Sequence, residues 1–208
     1  RQDEAIETVK LIEKEGGKAI AVAADVSVEA DVIRLFDTAE KEFGTLTHLV
    51  NNAGILFTQS RLVDMDLERF NKVMAANATS CFLCCREAVK RMVEGGAIVN
   101  VSSAASRLGA PFEYVDYAAS KGAVDSLTKG LSLEVAAQNI RVNAVRPGLI
   151  HTEIHADGGE PGRVDRLASS LPLQRGGTPE EVANAIAWLL SDEASYVTGS
   201  FTEIAGGR

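Results

Sequence analysis

The sequence predicts a doubly wound α/β fold, a parallel sheet covered by helices on both faces. Three observations carry this. Segments with 3.6-residue apolar periodicity alternate along the chain with short apolar runs. Those runs are continuously apolar rather than alternating with polar residues, as strands buried on both faces are. Turn residues fall at nearly every junction. No internal repeat or low-complexity tract competes, so residues 1–208 read as one domain.

The chain opens in an amphipathic helix with Ile6, Val9 and Ile12 on one face, stopped by Gly16-Gly17. Lys18 to Ala24 is too short for a helix and bounded by turn signals, so it reads as a buried strand. Asp25-Val26-Ser27 follows, with Ser27 placed to cap a helix that has Glu29 and Asp31 in its first turn and runs to about Phe43. Leu46 to Val50 is the next strand, ending in Asn51-Asn52-Ala53-Gly54. One long helix is expected from about Leu67 to Val93, through Phe70, Val73, Met74, Phe82 and Val89, halted at Gly95-Gly96. Ala97 to Val101 is another buried strand and runs into Ser102-Ser103. Beyond a loop with Gly109 and Pro111, a helix containing Tyr117 extends to about Ala137. Its stripe of Val124, Leu127, Leu131 and Val135 suits either core packing or association with another copy. Arg141 to Val145 is a strand ending at Pro147-Gly148. Residues 151–170, with Gly158-Gly159 and Pro161-Gly162, read as a mobile loop or lid. Thr178-Pro179-Glu180-Glu181 spells a capping box for a helix ending near Leu190, and Tyr196 to Ile204 closes the sheet.

The charge balance, 21 basic against 29 acidic residues with no basic block, argues against nucleic acid and anionic membranes as partners. No apolar run reaches the ~18 to 20 residues that span a bilayer, and no secretory segment opens the chain. The chain therefore reads as cytoplasmic, with a small molecule as partner. Cys81, Cys84 and Cys85 lack the further ligands of a zinc site and read as buried free thiols in a reducing compartment. His151-Thr152-Glu153-Ile154-His155 lacks the Glu directly after the first His that a metalloprotease helix needs, so no metal is expected.

In sheets of this kind ligands bind beyond the carboxyl ends of the strands. Asp25, Asn51, Ser103 and Pro147 all fall there. Tyr117 and Lys121 are four residues apart on one helix, so phenol and ammonium share a face. At ~5 Å and an effective dielectric of ~20, the ammonium favours the phenolate by roughly 3 kcal/mol, about two pKa units. That moves a tyrosine toward proton exchange near neutral pH. A Tyr-x-x-x-Lys arises by chance in roughly one chain in eight of this composition, so its setting has to carry the argument.

The setting resembles the short-chain dehydrogenase/reductase family. The residues are Asn51-Asn52-Ala53-Gly54, Asn77, Asn100-Val101-Ser102-Ser103, Tyr117-Ala118-Ala119-Ser120-Lys121, Arg141-Val142-Asn143 and Pro147-Gly148 through Thr152, and they span the chain in the family's order. Glu113-Tyr114-Val115-Asp116 and the Gly-Gly-Glu-Pro-Gly stretch are most similar to bacterial glucose- or sugar-dehydrogenase-like members. The resemblance implies a Rossmann-type fold and an NAD- or NADP-dependent oxidoreductase interconverting a secondary alcohol and a ketone. It also implies a homo-oligomer, tetramer or dimer. Tyr117 would be the proton donor or acceptor, and Lys121 would lower its pKa and hold the nicotinamide ribose. Ser103 would bond the substrate oxygen, with Ser102 as runner-up, and Asn77 would hold a water relaying protons to Lys121. Asp25 and Val26 match positions near the adenine; Asn51, Ala53 and Gly54 pass beside the adenosine ribose. Pro147, Gly148, Ile150 and Thr152 match the stretch that orients the carboxamide.

One departure stands out. The family opens with a βαβ unit whose Gly-rich turn seats the pyrophosphate, and no Gly-x-x-x-Gly-x-Gly or Gly-x-Gly-x-x-Gly occurs in these 208 residues. By the size of such a unit, about 35 to 40 residues are expected before Arg1, and the 208 residues alone are not expected to fold stably. The choice between NAD and NADP would be read in that unit and stays open. A catalytically silent dinucleotide-binding scaffold or sensor is the alternative function.

Overall fold

In the computed structural model, which describes residues 2–208, four strands lie side by side, all parallel: β1 (His48–Asn51), β2 (Gly96–Val101), β3 (Ile140–Pro147) and β4 (Phe201–Ile204). In register, Asn51 faces Asn100, Val101 faces Val145 and Pro147 faces Ile204, so the carboxyl ends of the strands share one edge. Side chains alternate across the sheet, which explains the continuous apolar runs. Ile98, Ile140 and Val142 enter one core with residues of α2 (Glu29–Phe43), α4 (Ser80–Arg91) and α6 (Val115–Glu134). Val99 and Val145 enter a second core, against Leu189 and Ile186 of α9 (Pro179–Leu190). Helices on both faces are the predicted architecture. The stripe of α6 is core: Val124 and Val135 are buried, and Leu127 and Leu131 pack on the same cluster. The three cysteines are buried and free, and burial pushes the Cys84 thiol up to about 11. No helix among the described residues is long and apolar enough to cross a membrane.

Several expectations are corrected. The first helix forms as α1 (Gln2–Lys14), but Ile6, Leu11 and Ile12 remain exposed. Lys18 to Ala24 forms no strand, because among the described residues no ladder partner meets it; the Ala23 carbonyl accepts from Arg34 instead, at 2.9 Å. Ser27 does not cap α2. Its hydroxyl and N–H both close on the Asp25 carboxylate, at 2.6 and 2.9 Å, which leaves Val28 as the cap residue. The long helix expected from Leu67 to Val93 is divided into α3 (Leu67–Met74), a π turn (Ala75–Thr79) and α4. Past α5 (Ala105–Leu108), the presumed loop at 151–170 contains α7 (Ile154–Asp157) and α8 (Arg163–Ala168). Val164, Leu167 and Leu171 explain this by packing on Leu149 as a small core of their own. The closing strand begins at Phe201 rather than Tyr196, since the chain turns at Gly199 with φ of 67°.

Helix α9 is fastened at both ends. Thr178 and Glu181 form the predicted capping box, Glu181 N–H to Thr178 Oγ1 at 3.3 Å and Thr178 N–H to Glu181 Oε2 at 2.9 Å. At the other end the Arg141 guanidinium donates to the carbonyls of Leu189 (2.6 Å), Leu190 (3.2 Å) and Ser191 (3.1 Å), closing orphan acceptors where the helix dipole favours a cation. Charged hydrogen bonds to half-buried carbonyls outweigh one exposed hydroxyl cap. In denaturant unfolding, Arg141→Met should lose about 2 to 3 kcal/mol and Thr178→Ala about 1 kcal/mol; equal losses would contradict the ranking.

Candidate active site

Beyond the carboxyl edge of the sheet lies a cavity of about 370 Å³. Ser103, just past β2, and Tyr117 and Lys121, one turn apart on α6, line it together with Gly54, Pro147, Gly148, Ile150 and Thr152. A second, more apolar cavity of about 240 Å³ lies beside β1, lined by Val26, Asn51, Ala53 and Asn77 among others, and Lys121 borders both. The sequence-predicted residues thus divide between two neighbouring spaces. Asp25 lines neither: it is exposed, and its carboxyl is held below the usual range, first by the Ser27 hydroxyl and then by the Ser27 N–H.

Lys121 is 3% exposed and donates from Nζ to the Val101 carbonyl, the last of β2, at 2.8 Å. Its Nζ sits 5.6 Å from the centre of the Tyr117 ring. Burial pushes the Lys121 amine down to about 8, opposed by Cys81 and Asp125. The expected acidification of the phenol by this ammonium is not what dominates. Burial raises the Tyr117 pKa, and the opposing influence is a hydrogen bond with the Ser103 hydroxyl. Desolvation of the phenolate outweighs a charge that is itself desolvated and already engaged on a carbonyl. Ser102 also borders this cavity, but it is buried and its hydroxyl donates to the Lys121 carbonyl at 3.3 Å.

Asn77 sits in the π turn, where one extra residue per turn rotates its side chain inward. Its carboxamide accepts from Ile55 N–H at 2.7 Å and donates to the Ile55 carbonyl at 2.9 Å and to Ser120 Oγ at 3.0 Å. This pins the turn after β1 onto α6. Gly54 belongs to the same contact: a Cβ there would lie 3.3 Å from Asn77 Oδ1 and 3.4 Å from Lys121 Nζ. Asn51 directs its carboxamide into the fold, to Asn100 Oδ1 at 2.8 Å and Cys85 Sγ at 3.2 Å. Asn100 in turn donates to Thr128 of α6 at 2.9 Å, so a polar line runs from β1 through β2 into the helix that carries Tyr117. The stretch after β3 is tied at both ends, Gly148 N–H to the Ile204 carbonyl at 2.9 Å and His151 N–H to the Gly177 carbonyl at 3.0 Å.

Residues with no role in the sequence-predicted site complete it. Asp116, 1% exposed, accepts from Arg69 Nε at 2.7 Å and from the Tyr117 N–H at 2.9 Å. Glu113, Tyr114, His155 and Arg163 line the same cavity as Tyr117. His155 is bonded through Nε2 to the Ile150 carbonyl at 2.9 Å, and burial lowers its pKa. A buried Arg163 two residues after Pro161 carries no local signature; only the packing of α8 reveals it.

Comparison with known proteins agrees along the whole length. A family model described as enoyl-(acyl carrier protein) reductase matches residues 1–208. The uncharacterized oxidoreductase YgfF of Escherichia coli K12 is 63% identical over 209 residues, covering 98% of this chain and 85% of its own. A crystal structure of a short-chain type dehydrogenase/reductase from Mycobacterium marinum superposes with a TM-score of 0.93 at 34% identity, covering all of this chain and 82% of that one. A structure of NAD+-bound xylitol dehydrogenase gives 0.91 at 30% identity, covering all of this chain and 86% of that one.

The buried amine makes stability depend on alkali. Lys121 is charged in both folded and unfolded chains below about 8, and neutral in both above its ordinary value of 10.5. Between those limits the unfolded chain binds the extra proton, so this residue's contribution to stability rises with pH, by on the order of 3 kcal/mol across the window. Unfolding free energies measured from pH 7.5 to 10.5 should show that rise relative to Lys121→Met; parallel curves would place the amine at an ordinary pKa.

Proposed function

The chain belongs to the short-chain dehydrogenase/reductase family and is an NAD(P)-dependent oxidoreductase, and from that premise we propose that it interconverts a secondary alcohol and a ketone with Tyr117 carrying the proton. The observation that supports this most is the meeting of Tyr117, Ser103 and Lys121 in one cavity with the stretch from Pro147 to Thr152. The residues fit a nicotinamide and its ribose. Gly54 leaves its backbone open beside Asn77 and Lys121, the ammonium supplies hydroxyl-binding donors, and the chain after β3 offers a fixed run of backbone groups. Lys121 would hold the ribose, and Pro147, Gly148, Ile150 and Thr152 the carboxamide. Asn51, Ala53, Asp25 and Val26 would serve the adenosine end. When bound, the dinucleotide supplies or accepts the hydride.

The protein's own part is to manage the oxygen. In reduction the carbonyl oxygen gains negative charge, and a phenol kept protonated by burial is suited to give it a proton. The Ser103 hydroxyl, which shares the cavity with that phenol, would donate to the same oxygen; Ser102, bonded to the helix, is the poorer candidate. In oxidation the proton moves the other way, and the nearby ammonium favours the phenolate that must form. Asn77 would act by fixing the Ile55 turn and Ser120 around Lys121, where a relaying water would be held.

Absorbance at 340 nm with a panel of secondary alcohols tests the proposal. Tyr117→Phe should lower kcat/KM by about 10²- to 10⁴-fold while dinucleotide binding, followed by fluorescence, persists. Equal turnover by both proteins would remove Tyr117 from the chemistry. Binding without turnover by the unaltered enzyme across the panel would favour the silent scaffold.

A further inference from the structure

We propose that Glu113 and Arg163 select the substrate, recognising a neutral alcohol that carries a second hydroxyl group; this rests on the dehydrogenase reading above. Arg163 is 6% exposed, and its guanidinium donates to Glu113 Oε2 at 2.5 Å and Glu160 Oε2 at 3.0 Å, 5.4 Å from the centre of the Tyr114 ring. Glu113 and Arg163 both line the cavity that holds Tyr117, and Glu160 stands behind them. Among the described residues the guanidinium makes these two hydrogen bonds, out of five N–H groups, and Glu113 Oε1 accepts none. The pair therefore keeps N–H donors and a carboxylate oxygen that no described residue takes up, and donor and acceptor together are what one hydroxyl group needs.

The surroundings sharpen the choice. Leu56, Leu108 and Ile154 make the neighbouring wall apolar, and such a wall discriminates poorly between a substrate with and without a hydroxyl. His155 and Tyr114 already bond backbone carbonyls, those of Ile150 at 2.9 Å and Gly158 at 3.4 Å. Arg163 and Arg166, which bonds Glu160 Oε1 at 2.5 Å, balance the two carboxylates. A carboxylate or phosphate placed against this pair would meet the Glu113 charge where Arg163 is already engaged, so a neutral group is favoured at this wall. The pair is also held in place. Ser60 N–H donates to the Glu113 carbonyl at 3.0 Å, Gln59 donates to Glu160 at 2.8 Å, and a Cβ on Gly158 would come within 2.5 Å of Leu56 and 3.1 Å of the Tyr114 hydroxyl.

The test is a ratio of kcat/KM, 1,2- or 1,4-cyclohexanediol over cyclohexanol, measured for the unaltered enzyme, Glu113→Gln, Arg163→Gln and Arg163→Lys. The unaltered enzyme should prefer a diol, and each Gln variant should lower the ratio by about tenfold or more, with Arg163→Lys between. Glu113→Gln keeps size and shape and so remains informative if the arginine variants fold poorly. A ratio unchanged in the variants, even with both rates reduced, would reduce the pair to a structural fastening and overturn the proposal. Turnover of none of the three compounds by an unaltered enzyme that binds dinucleotide would overturn the alcohol-ketone reading, and this inference with it.

Discussion

The Lys121 ammonium is buried against the Val101 carbonyl at 2.8 Å, where β2 gives out. A cation taken out of water there loses several kcal/mol of hydration, and one carbonyl replaces little of it. The group stays because α6 is anchored on every side. Thr128 receives Asn100, Ser120 receives Asn77, and Ser102 bonds the carbonyl of Lys121 itself. The turn after β1 must then pass close by, which only a residue without a Cβ does easily, and Gly54 stands there. Parallel register makes this possible: with Asn51 opposite Asn100 and Val101 opposite Val145, all the groups that meet Lys121 leave the sheet at one edge.

The same burial sets the acid–base character of the site. Two charges in a medium of uniform dielectric give an acidic tyrosine. In the fold both groups are withdrawn from water, so each moves toward its neutral form, the phenol up and the amine down to about 8. Spacing on a helix tells which groups meet. It does not tell how much water they keep.

What could be read from the sequence follows the same line. The strands after Leu46, the capping box at Thr178 and the shared face of Tyr117 and Lys121 rest on periodicity or on contacts a few residues apart, and these the sequence carries directly. The π turn was invisible because the apolar pattern from Phe70 to Val89 tolerates one inserted residue without changing its average period. Lys18 to Ala24 has strand composition, but a strand needs a neighbour, and composition does not report one. Ser27 stands where a cap would, but Asp25, two residues back, competes for the same hydroxyl. Arg163 has one partner, Glu160, close in sequence, but Glu113 and Tyr114, which bring it to the cavity, lie some fifty residues away in the chain.

The start of α6 joins two walls of the cavity, each fixed by an ion pair of its own. Negative charge is favourable at this end of a helix, and two carboxylates are placed there, each bound to a different element. Asp116 is clamped by Arg69 of α3 and closes the N–H of Tyr117, so the backbone that aims the phenol is fixed from one side. Glu113 is held by Arg163 of α8, so the substrate wall is fixed from the other. Breaking a buried pair leaves an uncompensated charge, costing about 3 to 5 kcal/mol, which makes each clamp a firm constraint on its own segment. The two clamps share no side chain, but the turn at 57–61 touches both, its Thr58 carbonyl accepting from Arg69 at 2.8 Å and its Ser60 N–H donating to the Glu113 carbonyl at 3.0 Å, so residues of α8 are freer to differ without re-aiming Tyr117 than those of that turn. Under the proposed chemistry, a wall that changes around a fixed phenol would let one arrangement serve different alcohols.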